Sequence, residues 1–294
     1  GEFVAIIGQG IIGQTAGLVA RMFGARTIAV DVSDERLALA RQLGAHLTIN
    51  PLTQDAPALI ADFCGGAGLD IAIEGLKAVS DRQRRATIDA VLAERGVARV
   101  SVNGEALVEP QKPQLDFGGV KVSPPPAAFT QATKPAEDAM AELVLTEVGK
   151  AKRIADLFAG SGTFSLRLAR IGRVHAVESE DKALKALDLA ARGAQGLKPV
   201  TTEKRDLFRR PLTAQDLKVY DAVVFDPPRA GAEAQVKELA RSSVKKLVAV
   251  SCNPLTLARD LALLVEGGYR IKRVTPIDHF LWSSHVEVVA TLEK

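Results

Sequence analysis

Short apolar runs alternate with helix-like periodicity through the second half of the chain. The predicted strands cover residues 154–158, 174–178, 200–204, 222–226 and 246–251. Strands that alternate with helices predict an α/β fold built on a doubly wound, Rossmann-like parallel sheet. Two later runs, 269–280 and 285–293, predict a terminal antiparallel pair.

A glycine-containing loop follows the first of these strands. Gly160 and Gly162 stand where the apolar run ends and the helical pattern begins. Glycine adopts positive φ and leaves room for a ligand against the backbone, and the amides of a following helix face that ligand. Glu178 ends the next strand, where a carboxylate can accept both hydroxyls of a ribose. Glycines alone are equally typical of an ordinary strand–helix turn, so residues further along must decide.

A second glycine pattern lies near residue 10. Gly8, Gly10 and Gly13 follow an apolar run, and Asp31 ends the next predicted strand. This is the dinucleotide fingerprint in its expected context. The first 69 residues, 32–50 above all, resemble the coenzyme domain of medium-chain alcohol dehydrogenases. The resemblance implies a half-Rossmann βαβ unit with only the adenosine half of an NAD site, so we expect NAD binding to be weak or absent.

The region between these patterns predicts a smaller unit. Residues 97–102 alternate, Asn103-Gly104 is a hairpin turn signal, and residues 115–122 supply another short antiparallel pair. We divide the chain into a half-Rossmann unit (1–69), a small α+β central unit (70–126) and an α/β domain (127–294).

Composition limits the classes of function. No apolar run approaches the roughly 18 residues of a membrane span, and no signal peptide pattern is present, so we expect a cytoplasmic protein. Cys64 and Cys252 are the two cysteines, too few for a disulfide framework, a four-thiolate zinc site or an iron–sulfur cluster. The first 69 residues hold 4 basic and 6 acidic side chains within a formal charge of +3. The later part is therefore basic, which suits an anionic polymer or a solvated surface.

Two reactive side chains are predicted at the ends of later strands. Asp226 opens the sequence Asp-Pro-Pro-Arg, and Cys252 lies in Ser-Cys-Asn-Pro after the next strand. Ligands of open α/β sheets bind along this carboxyl edge. A buried structural cysteine is the ordinary interpretation. Helix amides that follow Cys252 can favour its thiolate, which indicates a nucleophile.

Four segments in order resemble the catalytic part of the uracil-C5 RNA methyltransferases that use S-adenosylmethionine. The segments are 156–164, 226–229, 251–260 and 285–287, and the resemblance covers about residues 70–294. It implies Cys252 as nucleophile and Glu287 as base, although Glu287 could also be a surface acid on an edge strand. The positions that it assigns to the methyl donor or its pocket are Gln131, Phe158, Gly160, Gly162, Thr163, Glu178, Asp206 and Asp226.

The resemblance implies an RNA substrate, rRNA or tRNA, that is methylated through a covalent cysteine adduct. Arg209 and Arg210 suit phosphate contacts or a solvated pair, and His285 is interpreted as a strand-end polar residue. The oligonucleotide-binding barrel and four-cysteine iron–sulfur site of many family members have no counterpart in this sequence. Two other functions stay open: an NAD-binding oxidoreductase fragment, and a non-catalytic RNA-binding remnant.

Overall fold

The chain forms two compact units. The computed structural model describes residues 3–22, 24–63, 69–73, 80–93, 97–126, 128–129, 131, 133–278 and 286–294. Cys64 and His285 lie outside these residues. The first unit is Gly1–Leu115 with Ser123–Thr133, and the second is Asp116–Val122 with Lys134–Lys294. The division into three parts stays a prediction. Within the described ranges, every helix is too short or too polar to span a membrane.

The first unit begins with a parallel sheet flanked by helices. Its elements are β1 (Phe3–Ile7), α1 (Ile11–Met22), β2 (Arg26–Val30), α2 (Asp34–Gln42), β3 (Leu47–Ile49) and α3 (Ala56–Phe63). The strands pair in the order β1-β2-β3. Gly13 comes so close to the end of β1 that a Cβ would lie 1.8 Å from the Gly8 carbonyl oxygen. The predicted half-Rossmann unit is confirmed, and Gly13 is required by packing.

A small mixed sheet completes the first unit. It contains β4 (Leu69–Ile73), α4 (Asp81–Ala93), β5 (Val97–Val102) and β6 (Glu105–Val108). β4 pairs with β5 in parallel, and β5 pairs with β6 antiparallel. Asn103 (φ 49°) and Gly104 (φ 75°) form the turn between β5 and β6. Two positive φ angles are those of a type I′ turn, so the predicted hairpin is confirmed.

The second unit contains the remaining elements. They are β7 (Leu115–Asp116), β8 (Lys121–Val122), α5 (Lys134–Val148), β9 (Arg153–Leu157), α6 (Ser165–Leu168), β10 (Arg173–Glu178), α7 (Asp181–Gly193), β11 (Val200–Lys204), α8 (Ala214–Leu217), β12 (Ala222–Phe225), α9 (Glu233–Arg241), β13 (Lys246–Ser251), α10 (Pro254–Glu266), β14 (Arg270–Ile277) and β15 (Glu287–Glu293). The helix after the glycine loop is only 4 residues long, because residues 160–164 form turns. The sequence pattern did not predict α8 and α9.

Seven strands of the second unit form one sheet. Their order is β11-β10-β9-β12-β13-β15-β14, with the first five parallel and β15 antiparallel to both of its neighbours. Leu157 and Phe225 are buried in one hydrophobic cluster, and Ile154 and Val224 in another. Because successive strand residues point to opposite faces, the two clusters cover the two sides of the sheet. The predicted α/β fold and terminal antiparallel pair are confirmed.

Because β15 runs antiparallel to β13, its first residues lie at the edge of the sheet where the parallel strands end. Val288 pairs with Ser251, and Glu287 pairs with Ile277. The beginning of β15 therefore lies beside the end of β13, and Glu287 shares with Cys252 the edge at which the parallel strands end. β15 is an interior strand, so the alternative of a surface acid on an edge strand is wrong.

A buried ion-pair cluster joins the β7–β8 hairpin to the helices of the second unit. Arg167 Nη2 lies 2.6 Å from Glu137 Oε1 and 2.7 Å from Asp138 Oδ1. The Arg167 guanidinium carbon lies 5.5 Å from the Phe117 ring centroid. At Gly118 a Cβ would lie 2.9 Å from Arg167 Cγ, so only glycine lets the hairpin approach this closely. Arg167 thereby links α5, α6 and the hairpin.

We predict that Arg167→Met destabilises the second unit by roughly 1.5 to 3 kcal/mol, the range for a hydrogen bond to a charged group, because Glu137 stays buried and keeps Lys134 at 3.0 Å as a charged partner. Urea unfolding followed by circular dichroism measures this change. The matched control is Arg192→Met, which removes an ion pair with Asp188 whose arginine side chain is 77% exposed. The control should lose less than about 1 kcal/mol. Equal losses in the two variants would contradict the role given to the buried cluster.

Candidate active site

The glycine loop after β9 departs from ordinary backbone geometry at three positions. Phe158, Gly160 and Gly162 have φ angles of 61°, 53° and 104°. At Gly160 no atom lies within 4 Å of the position of a Cβ, whereas at Gly162 a Cβ would lie 2.5 Å from Leu187 Cδ1. Gly160 thus leaves open space for a ligand, and Gly162 allows packing. A left-handed phenylalanine stores strain, which is common at binding sites and is not visible in sequence.

The acid at the end of β10 is bound to this loop. Glu178 Oε2 accepts a hydrogen bond from the Gly160 amide at 3.0 Å. Its Oε1 accepts from the Ser179 and Glu180 amides at 2.6 and 3.0 Å. The carboxylate is half-buried, with its orientation fixed by backbone donors. The structure therefore brings together the loop and the acid that the sequence selected separately.

The first unit repeats this arrangement around Asp31. Asp31 Oδ2 accepts from the Gln9 amide at 2.6 Å, and Oδ1 accepts from the Ser33 amide at 2.8 Å. These amides, with Arg36 at 3.7 Å, hold the pKa of Asp31 below its usual range. The geometry matches the predicted fingerprint at Gly8, Gly10 and Gly13. Weak or absent NAD binding stays a prediction.

A third acid and an aromatic pair lie beyond the ends of β9 and β11. Asp206 Oδ1, after β11, accepts from the amides of Phe208 and Arg209 at 3.0 and 3.3 Å. The rings of Phe158 and Phe208 lie 5.6 Å apart between centroids. Phe208 is 47% exposed, and sequence reasoning missed it. An aromatic residue two positions after a strand-end acid is the signal that could have identified it.

Two predicted donor residues have less direct geometry. Thr163 lies in the turn before α6 and its carbonyl accepts from Arg167 Nη1 at 2.7 Å. Gln131 belongs to the Ser123–Thr133 segment of the first unit, where its side chain is buried. The roles of both residues toward a methyl donor stay predictions.

A buried carboxyl group lies below the glycine loop. Asp156, on β9, is 1% exposed. Its Oδ2 accepts from Ser165 Oγ at 2.5 Å, and no described residue bonds to its buried Oδ1. Burial raises the pKa of Asp156 to about 7, and the nearby Glu178 carboxylate adds to this effect. Sequence reasoning did not single out this residue.

Asp226, Cys252 and Glu287 meet at the ends of β12 and β13 and the start of β15. Glu287 is 3% exposed, whereas Asp226 and Cys252 are half-buried. Burial, and then the Glu287 and Asp156 carboxylates, raise the pKa of Asp226 well above its ordinary value. The three predicted groups are therefore near enough to interact electrostatically.

The thiol of Cys252 is more difficult to ionise than its position in the sequence suggested. Burial, followed by the charges of Glu287 and Asp226, raises the pKa of Cys252, and Arg229 only partly opposes them. The backbone amide at Cys252 lowers the pKa of the thiol, as expected from the start of a helix, but burial and the neighbouring carboxylates outweigh it. Like charge and desolvation disfavour an anion more than the helix start favours it.

These features define the class of the second unit. A seven-stranded, mostly parallel sheet, with a glycine loop and acids at successive strand ends, is a Rossmann-like methyltransferase fold. A family model described as tRNA (uracil-5-)-methyltransferase matches residues 120–294, which is more than half of the chain. The chain therefore belongs to the tRNA (uracil-5-)-methyltransferase family.

A second family model, described as zinc-binding dehydrogenase, matches residues 12–102. The dehydrogenase resemblance expected from the sequence is thus present. It extends past residue 69, over α4 and β5 as well as the half-Rossmann unit.

Individual relatives are also RNA methyltransferases by name. An uncharacterized RNA methyltransferase of Agrobacterium fabrum is 75% identical over 228 residues, which are 78% of this chain and 55% of that protein. The chain thus spans about half the length of this relative. A 23S rRNA (uracil(1939)-C(5))-methyltransferase of Acinetobacter baumannii is 36% identical over 187 residues, 58% of this chain and 38% of that protein.

Among solved structures, this chain is similar to the Pyrococcus abyssi tRNA (uracil-54, C5)-methyltransferase in complex with S-adenosyl-L-homocysteine. The TM-score is 0.58 and the identity 29%, over 66% of this chain and 50% of that one.

We predict that Asp156→Asn changes how stability depends on pH. The folded-state pKa of about 7 lies above the unfolded value of about 3.9, so the wild type loses stability as pH rises between these values. The asparagine variant lacks this loss, so its stability relative to wild type should rise by about 2 to 3 kcal/mol between pH 5 and pH 8. Urea unfolding at pH 5 and pH 8 measures the difference.

The control for this experiment is Asp221→Asn. Backbone amides of Arg153 and Lys152 lower the pKa of Asp221, so this carboxylate is ionised in both states throughout pH 5 to 8. Its variant should differ from wild type by a constant amount over that range. A constant difference for Asp156→Asn as well would mean that Asp156 does not titrate there.

Proposed function

We propose that this chain is an S-adenosylmethionine-dependent RNA methyltransferase that modifies C5 of a uridine in rRNA or tRNA. The observation that carries the proposal is the meeting of Cys252 and Glu287 at one sheet edge, beside a glycine loop with an oriented acid. The oxidoreductase alternative rests on the first unit, whose predicted site holds only the adenosine half of NAD. Hydride transfer would also give the Cys252–Glu287 pair no role.

The residues of the edge fit the proposed methyl donor. The open space at Gly160 admits a ligand against the loop, Glu178 presents a carboxylate to ribose hydroxyls, and Asp206 lies at the next strand end for the adenine side. When bound, S-adenosylmethionine would supply an electrophilic methyl group and one positive charge. The carboxylates of Asp226 and Glu287 suit a cation at this edge.

The two catalytic side chains have complementary tasks. Uracil C5 is a weak nucleophile, so the Cys252 thiolate adds to C6 and places the ring electrons at C5, which then accepts a methyl group. The Glu287 carboxylate removes the C5 proton. Elimination of the thiolate from C6 restores the aromatic base and the free cysteine. Since Glu287 is 3% exposed, the proton transfer takes place away from bulk water.

The proposed substrate is an unpaired uridine. C5 and C6 are covered by stacking within a duplex, so a base must leave its stack to reach Cys252. Arg209, Arg210 and Arg229 are exposed on loops at the same sheet edge. Their guanidinium groups suit phosphates that flank the target base.

We predict that Glu178→Ala weakens S-adenosylmethionine binding by roughly 1.5 to 3 kcal/mol, the range for hydrogen bonds to a charged group. Isothermal titration calorimetry gives the affinity. Asp31→Ala is the matched control, because it removes the corresponding acid from the first unit. The control should keep wild-type affinity. An unchanged affinity in Glu178→Ala would move the donor site elsewhere.

We predict a covalent adduct between Cys252 and 5-fluorouridine RNA in the presence of the methyl donor, because fluorine cannot leave C5 as a proton. Cys252→Ala should abolish adduct and turnover. Glu287→Gln should allow attack on ordinary RNA and stall before elimination, which leaves a protein–RNA species on denaturing gels.

The adduct experiment should be run at low salt and high RNA concentration, because phosphate contacts weaken steeply with salt. A Cys252→Ala protein that still methylates uridine would rule out the nucleophile and with it the proposed mechanism.

A further inference from the structure

One face of α10 binds the backbone of the loop that follows Asp226. The Arg229 carbonyl oxygen accepts from Asn253 Nδ2 at 3.0 Å and from Thr256 Oγ1 at 3.2 Å. The next carbonyl, that of Ala230, accepts from Arg259 Nη2 at 3.1 Å. The helix that begins just after Cys252 therefore holds the loop that begins with a predicted donor-pocket acid.

Asp260 is the most buried member of this set. It is 2% exposed, and its Oδ2 accepts from the Ala232 amide at 2.7 Å. Its Oδ1 accepts from Arg259 Nε and Nη2 at 2.9 and 2.7 Å. Between these bonds the loop passes through Gly231 at φ +78°, where a Cβ would lie 2.8 Å from Asp260 Oδ2. The loop therefore lies in close contact with α10, and Asp260 accepts a hydrogen bond from the loop backbone.

The spacing of the helix residues explains the contact. Asn253, Thr256 and Asp260 stand at positions i, i+3 and i+7, which fall on one face of an α-helix. The helix carries Cys252 immediately before its first turn and Asp260 two turns later. Pro227 and Pro228 restrict the backbone between Asp226 and the bound segment. A shift of the backbone at Ala232, which Asp260 binds, is therefore expected to move Asp226, because few residues separate them and two of these are prolines.

We infer that Asp260 is a positioning residue that fixes Asp226 and Arg229 relative to the Cys252 thiol. The inference rests on the proposed function, because the positions that Asp260 fixes matter for the addition of the Cys252 thiol to uracil. Asp260 does not touch the reacting atoms in this account. It acts through the backbone of residues 229–232.

The charged groups that face Cys252 come from two elements. Glu287 lies at the start of β15, whereas Asp226 and Arg229 lie on the loop that Asp260 binds. Release of the loop would leave Glu287 in place, move Asp226 and Arg229 away and admit water. The loss of Asp226 and the entry of water make the thiol easier to ionise, and they outweigh the loss of Arg229, whose effect on the pKa of Cys252 is smaller. The same release would misplace the groups around the substrate and slow the addition.

The test compares Asp260→Ala with Asp260→Asn. The rate of iodoacetamide alkylation at Cys252 is followed against pH by peptide mass spectrometry, which separates Cys252 from Cys64. Asp260→Ala should shift the midpoint to lower pH and slow adduct formation with 5-fluorouridine RNA on the order of 100-fold, as expected when reacting groups move by about an ångström. Asp260→Asn keeps an acceptor for the Ala232 amide and should stay near the wild-type midpoint.

Two further variants separate positioning from folding. Ser242→Ala removes buried bonds to the Tyr269 hydroxyl and the Val244 amide at the opposite end of β13, so it should lower stability and leave the alkylation profile unchanged. Thr256→Val removes one donor to the loop with little change in shape, and should shift the midpoint in the direction of Asp260→Ala by a smaller amount.

The inference would be overturned if Asp260→Ala folds and both it and Thr256→Val show the wild-type dependence of Cys252 alkylation on pH. If Asp260→Ala does not fold, the Thr256→Val profile decides. Alkylation needs neither RNA nor a methyl donor, so failure of the proposed function is distinguishable: wild type would then give no RNA adduct, while the shifts in the alkylation profile would remain.

Discussion

The crowding of acidic groups at one edge of a sheet is the constraint on which this site depends. Burial, followed by the Glu287 and Asp156 carboxylates, raises the pKa of Asp226, and burial, followed by the Glu287 and Asp226 carboxylates, raises the pKa of Cys252. Asp226 and Cys252 are therefore both harder to ionise than in water. A cation at this edge would favour the ionised forms of Asp226 and Cys252 together, so the thiol would ionise more readily beside a positively charged partner. This coupling follows from electrostatics and requires no conformational change.

The strand-end residues of the site could be predicted from sequence because they depend on local pattern. Parallel strands end at one edge, so Glu178, Asp226 and Cys252 had to lie along it. The insertion of β15 between β13 and β14 depends on pairing between distant segments, and periodicity cannot show it. The left-handed Phe158 and the anchor at Asp260 depend on tertiary contacts in the same way. The raised pKa of the Cys252 thiol could not be predicted from sequence, because burial and the neighbouring charges are properties of the folded site.

The two units use one local device in different surroundings. In each, a glycine loop follows a strand, and an acid at the end of the next strand accepts a hydrogen bond from a loop amide. The first unit places this device on a sheet of three strands, and the second on a sheet of seven. Among the described residues, the larger sheet places a thiol and a second acid, Cys252 and Asp226, on the same edge as this loop. The two units thus share the loop and the acid, and they differ in the side chains that the neighbouring strands bring beside them.

The interior position of β15 has a consequence for the order of assembly. β15 follows every other strand of its sheet in the chain, yet it pairs with β13 on one side and β14 on the other. During synthesis the glycine loop and the cysteine strand emerge first, and they can pair before the last strand is available. Until β15 enters, β13 and β14 have no partner between them, and the Glu287 carboxylate is absent from the edge that holds Cys252. An incompletely synthesised chain can therefore form the glycine loop before Cys252 and Glu287, the pair of the proposed function, come together.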